Sequence, residues 1–195
     1  MGWNVFKPFM LFSAEPEPPP LSPVDIALIV PRVGRAKQIM LDEALANLRG
    51  QVPVDGLSWG VSAGCYSADI GGVFFSICVE NRATQFQQIV GWHLKLSGGE
   101  ELIPIPAPNY LCQTQPWWWH PPLVSLPPNK IVKGSIFFRL DRGTSMTASP
   151  ATRGSSTAVL VAASLNGGRL VSKLKIIASE EYFGAGESTA AAAVG

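Results

Sequence analysis

Little in this sequence is charged. Of 195 residues, 15% are charged, and 15 basic against 14 acidic residues leave a formal net charge of +1. That balance creates no broad field to draw nucleic acid or acidic lipid, so no specific nucleic-acid binding is expected. A surface with few charges points instead to cover by copies of the same chain or by another protein. Cysteine is scarce too, with Cys65, Cys78 and Cys112 at irregular spacing. Three are too few for a disulfide framework and fit a reducing compartment, with thiols acting as small buried hydrophobes. One disulfide plus one free thiol is the alternative.

The residues that carry chemistry are equally sparse. The two histidines, His93 and His120, lie in different segments and there is no Cys-x-x-Cys. A zinc site needs about four N or S ligands, so neither metal nor cofactor is expected. No Gly-x-x-x-x-Gly-Lys or Gly-x-Gly-x-x-Gly occurs, and the pairs Gly71-Gly72, Gly98-Gly99 and Gly167-Gly168 read as turns. No Gly-x-Ser-x-Gly is present. Cys112 and His120 share a segment, but nothing supplies the orienting carboxylate or oxyanion donors that a nucleophile needs. Glu100 and Glu101 are adjacent on a strand edge and point to opposite faces. Asp42 and Glu43 read as a solvated helix surface, and His93 as an exposed strand position. The chain therefore reads as no enzyme, with no catalytic residues.

No apolar run is long enough to cross a bilayer, which takes about 20 residues. Met1–Phe12, MGWNVFKPFMLF, is apolar and aromatic but short, and Lys7 and Pro8 spoil it as a signal peptide. Its reading is a sticky arm; the alternative is an interfacial anchor with Trp3, Phe6, Phe9 and Phe12 as wedges. Glu15–Pro23, EPEPPPLSP, is an extended spacer. The absence of a convincing signal peptide or spanning helix places the chain in the cytoplasm or within an assembled particle.

Glycine (19) and proline (17) are abundant, and apolar residues make up 47%, enough for a substantial core with many tight turns. Ala36, Met40, Ala44 and Leu48 recur every four residues, with Leu41 and Leu45 beside them, which predicts a helix over 34–49. Leu28–Val30 is a candidate short strand. From Leu57 the period changes to two. Val73, Phe75, Ile77 and Val79 share a face; so do Val90, Trp92, Leu94 and Leu96; so do Ile136, Phe138 and Leu140. Asn166-Gly167-Gly168 between TAVLVAASL and RLVSKLKII is a strong hairpin signal. Five to seven strands with little helix give a mainly β chain, an antiparallel β-sandwich, Ig-like or jelly-roll, with one short helix near the N-terminus. The organisation reads as arm and spacer over 1–23, a helix-containing lead-in over 24–56, the sandwich over 57–183 and a tail over 184–195.

One loop stands apart. Tyr110–Pro128, YLCQTQPWWWHPPLVSLPP, holds three of the six tryptophans between prolines that stiffen it. Three consecutive tryptophans cannot all point one way. They plug an open end of the sandwich or meet a partner, in which case Trp117, Trp118, Trp119 and His120, with Trp3, Phe6 and Phe9 of the arm, form the contact residues. The polar segment Asp141–Ser156 carries Arg142 and Arg153 and reads as a solvated loop.

Val79-Glu80-Asn81 followed by Ile89-Val90-Gly91-Trp92 resembles bacterial immunoglobulin-like sandwich domains. Leu126-Pro127-Pro128-Asn129 followed by Ile131-Val132-Lys133-Gly134-Ser135-Ile136-Phe137-Phe138 resembles the proline turn and Gly-x-aromatic strand of the same class. Cys78 has no late-strand cysteine to pair with, so the inter-sheet disulfide of antibody domains is missing. This resemblance implies an adhesive or structural role. Arm, spacer, sandwich and small-residue tail are also similar to viral coat subunits, although the basic arm of those proteins is absent. The expected function is a non-enzymatic structural or interaction module that assembles with itself or another protein through its arm and Trp loop. A coat subunit, or a membrane-associated protein anchored by Met1–Phe12 and Trp117–Trp119, is the alternative.

Overall fold

The computed structural model describes residues 21–119, 123–140 and 156–179. The order is α1 (Pro23–Leu48), β1 (Leu57–Val61), β2 (Gly64–Ser67), β3 (Gly72–Asn81), β4 (Gln87–Leu96), β5 (Glu101–Leu102), α2 (Asn109–Thr114), β6 (Val124–Leu126), β7 (Lys130–Arg139), β8 (Ser156–Ser164) and β9 (Arg169–Ala178). The mainly β, sandwich-like class expected from the sequence is what the chain adopts. The strands run β1-β3-β2-β9-β8-β4-β5, with β7 on the other edge of β3 and β6 also on β4. The sheet is mixed, because β2 joins β9 in parallel while the other named pairs are antiparallel.

The bend of this sheet into two layers begins between β1 and β2. Both pair with the same edge of β3, and the chain breaks at Ser62–Ala63 between them. The break is satisfied from outside: Ala63 N donates to Glu43 Oε1 at 3.1 Å, and Asn47 Nδ2 donates to Val61 O at 2.8 Å. Glu43 therefore serves the backbone and is not the solvated residue expected. Beyond the break β2 turns to meet β9, which carries β8 and β4 across the core.

Between the layers lies the main core. Trp59, Val73, Phe75, Ile77 and Val79 face Trp92, Leu94, Leu160 and Ala162. The period-two reading of β3 holds, but its other face is buried as well: Phe74, Ser76 and Cys78 meet α1. In β4 the expected face is corrected at one position. A register shift between Ile89 and Gly91 puts Ile89 in the core and leaves Val90 half-buried. The 166–168 hairpin forms as expected, with Gly167 at φ 87°.

The helix is longer than the sequence periodicity indicated. It starts at Pro23, its N-cap Ser22 accepts from Asp25 N, and Asp25 returns the bond to the Ser22 backbone. This capping box overrides the spacer reading at 22–23, and Leu28–Val30 are helical, not a strand. Pro31 lies inside; Pro31 and Ala27 are both exposed, so water can serve the Ala27 carbonyl that Pro31 cannot reach. The helix approaches β1 at Gly60, where a Cβ would sit 2.0 Å from Ala44 O. A second core under it joins Ile29, Val33, Ala36 and Met40 to Phe74, Leu111, Trp118 and Phe137. No helix among the described residues is long and apolar enough to cross a membrane.

Candidate functional site

Two places concentrate polar or aromatic chemistry. The first is the tryptophan segment. Trp117–Trp119 runs beside β7: Ser135 N donates to Trp117 O at 2.8 Å and Trp119 N donates to Ser135 O at 2.9 Å. This alternation sends neighbouring rings apart. Trp118 is 7% exposed and meets Phe74 edge-on at 5.7 Å, inside the helix-side core. Trp119 packs on the main core 5.7 Å from Trp92 and fills the space over Gly134, where a Cβ would be 2.0 Å away. Trp117 is 55% exposed. His120, Trp3, Phe6 and Phe9, with Arg142 and Arg153, lie outside the described residues.

Lys37 clasps this segment to α1. It is 4% exposed; its Nζ donates to Pro116 O and stands 4.4 Å from the Trp118 ring centroid. Burial pushes its ammonium down to about 8, while the nearby Cys112 acts in the opposite sense. Next to it, Gln115 Nε2 donates to Val30 O at 2.7 Å. Cys112 is on α2, where a loop was expected, with its Sγ 3.3 Å from Ala107 O. Burial raises its thiol pKa and Lys37 only partly offsets this, the wrong direction for a nucleophile at neutral pH. None of the three cysteines is in a disulfide.

The second place is the outer face of β4, β8 and β9. Register sets Lys95 opposite Val159 and Val159 opposite Lys173, with Thr157 opposite Lys175 one row along. Here lies an open groove of about 590 Å³ whose walls include Lys95, Ser97, Thr157, Val159, Lys173 and Lys175. Lys95 Nζ is 3.5 Å from Glu101 Oε1, with both side chains more than half exposed, so this pair neutralises little. Neither Lys173 nor Lys175 has an ion-pair partner among the described residues. His93, exposed as expected, is on the same face two residues from Lys95. Lys95 and the Lys173–Lys175 strand lie far apart in the sequence, and no periodicity joins them. The signal was the alternation Arg169, Val171, Lys173, Lys175 within RLVSKLKII.

No family model and no curated protein sequence matches the chain. Solved structures that resemble it include the copper-bound PCuAC domain from PmoF2, at 13% identity and TM-score 0.39, covering 66% of this chain and 97% of that one. The apo PCuAC domain from PmoF1 is 14% identical with TM-score 0.40, covering 66% and 98%. The yjhA protein from Bacillus subtilis is 9% identical with TM-score 0.42, covering 66% and 97%. The likeness is one of β-rich architecture.

Trp118 and Trp119 are spent on the interior, and none of the solved structures named above carries an immunoglobulin-like or coat-subunit name. The expectation of a structural or coat subunit, assembled or anchored through arm and Trp loop, is corrected accordingly. Copper does not replace it. Soft His, Met and Cys ligands would be needed, yet no group of three His, Cys, Asp or Glu stands together among the described residues. Met40 is fully buried on the inner face of α1, and His93 is on the outer face of β4. The described residues do not fit a copper site.

Proposed function

We propose that this chain is a non-catalytic binding domain that holds an anionic ligand in the groove on β4, β8 and β9. The observation that carries the reading is the convergence of Lys95, Lys173 and Lys175 on one groove, where Lys95 is only weakly paired, with Glu101 at 3.5 Å. Two strand spacings separate Lys95 from Lys173, about 10 Å, and two residues separate Lys173 from Lys175, about 7 Å. Lysine side chains are long enough to close that triangle on one carboxylate or phosphate head. A volume near 590 Å³ is within the range of small-ligand sites, roughly 300–1,000 Å³.

Equilibrium dialysis of the full chain against decanoate and inorganic phosphate tests this. The double variant K173E/K175E keeps the strands, because both side chains are exposed. Its affinity for either anion is expected to fall at least tenfold, and added salt to weaken the wild type. Equal affinities in the two proteins would refute the groove as the site.

A further inference from the structure

One stretch of β9 has a strand on one side only. Ser164 N donates to Gly168 O at 2.8 Å, and bonded pairs alternate along an antiparallel ladder, so Leu170, Ser172 and Leu174 exchange bonds with β8. The N–H and C=O groups of Arg169, Val171 and Lys173 therefore point the other way, and no described residue bonds them. β2 takes up that edge only from Ile176. Asp55 lies over its other end, at the turn, where a Cβ on Gly168 would be 2.6 Å from Asp55 Oδ2. Between these limits about 14 Å of strand edge stands open. Its charges have one sign: Arg169, Lys173 and Lys175 are exposed, and none has an ion-pair partner among the described residues. We infer that this edge takes up an acidic, extended segment of a partner protein as an added strand. The guest backbone bonds Arg169, Val171 and Lys173, and its carboxylates meet Arg169, Lys173 and Lys175. Lys173 and Lys175 also wall the groove, so for these two the inference rests on the anion-binding reading above; the open edge and Arg169 lie outside it.

Backbone chemistry and charge favour this occupant. A phosphate chain or a free acid can meet the cations and the edge N–H groups, but it brings no donors for the edge carbonyls. An extended peptide supplies both donors and acceptors at the spacing of the edge. A second copy of β9 would set these cations against their like, which opposes pairing of the chain with itself. On the inner face the guest side chains fall beside Ser172 and Leu174, both half-buried, and suit Val or Thr.

The test is an NMR titration of the ¹⁵N-labelled full chain with the acetylated, amidated peptide Glu-Val-Glu-Thr-Glu-Val-Glu, beside inorganic phosphate. Saturable shifts are expected at the Arg169, Val171 and Lys173 amides, which gain acceptors. Two half-methylated peptides follow, one N-methylated at its Glu residues and one at its Val and Thr residues. Only one edge of an added strand faces β9, so one of them is expected to lose roughly tenfold in affinity and the other to keep it. R169E is expected to weaken the parent peptide about fivefold and leave phosphate binding unchanged. Equal affinities for the parent and both methylated peptides would overturn strand addition and leave the anion site standing. Peptide binding that R169E leaves intact would overturn it too. Phosphate binding without peptide binding would mean that the cations only guard the edge against pairing, and would also overturn it. No binding of either would remove both readings.

Discussion

Raising the pH from 7 to 9 should stabilise this protein, and Lys37 is the reason. Its ammonium is 4% exposed, held between Pro116 O and the Trp118 ring, with a pKa lowered from 10.5 to about 8 by loss of water. Between those two values the unfolded chain binds a proton that the folded chain does not, so stability rises with pH. At 1.36 kcal/mol per pH unit in the steep region, the gain from pH 7 to 9 is about 1 kcal/mol. Cys78 works the other way. Burial raises its thiol from 9.0 to about 11, so the stability it contributes declines as pH rises through that range. Tyr110 and Cys112 are raised as well, by burial first, and add to that decline. The Lys37 effect therefore stands clear only below about pH 9. Urea unfolding followed by tryptophan fluorescence reads it, because 1 kcal/mol moves the midpoint by about half a molar. The control is Lys37→Met, which removes the charge and keeps the bulk. A buried charge replaced by an apolar chain is neutral or stabilising at pH 7. The advantage of the variant should shrink by about 1 kcal/mol at pH 9. Parallel wild-type and variant stabilities across pH 7, 8 and 9 would refute the buried-ammonium reasoning.

Two further substitutions probe the frame that holds the groove. Gly60→Ala puts a Cβ 2.0 Å from Ala44 O and 2.3 Å from Leu48 N, both backbone, so α1 must lift from β1. A loss of about 3 kcal/mol in chemical denaturation is expected, and a loss below 1 kcal/mol would contradict the close approach. Ser22→Ala removes the capping box of α1 and should cost about 1 kcal/mol by the same assay. An unchanged midpoint would mean that the first turn contributes nothing to stability.

Much of the architecture was legible because its signals are local. The alternation in Val73–Val79 marks the inner face of β3, and Asn166-Gly167-Gly168 marks the β8–β9 turn through its need for a positive φ. The misread parts depend on what lies across space. Pro31 hid the first turns of α1, since a proline argues against helix unless the freed carbonyl reaches water. Val90 looked like core until the register shift at Ile89 moved the row. Trp117–Trp119 read as a plug or a contact surface alike, because sequence cannot show that Gly134 opens a slot for Trp119. The groove was the least visible element. Lys95, Val159 and Lys173 meet only through the pairing of β4, β8 and β9, across gaps of chain that no periodicity spans. Each lysine alone reads as an ordinary solvated strand position.

The most direct measurement is a map of backbone amide shifts in the ¹⁵N-labelled wild-type chain as decanoate is added. Expected are saturable shifts that cluster at Lys95–Ser97, Thr157–Val159 and Lys173–Lys175. The same titration of K173E/K175E should leave those amides still. Saturable shifts centred elsewhere, or the same shifts in the charge-reversed protein, would contradict an anion site on this face.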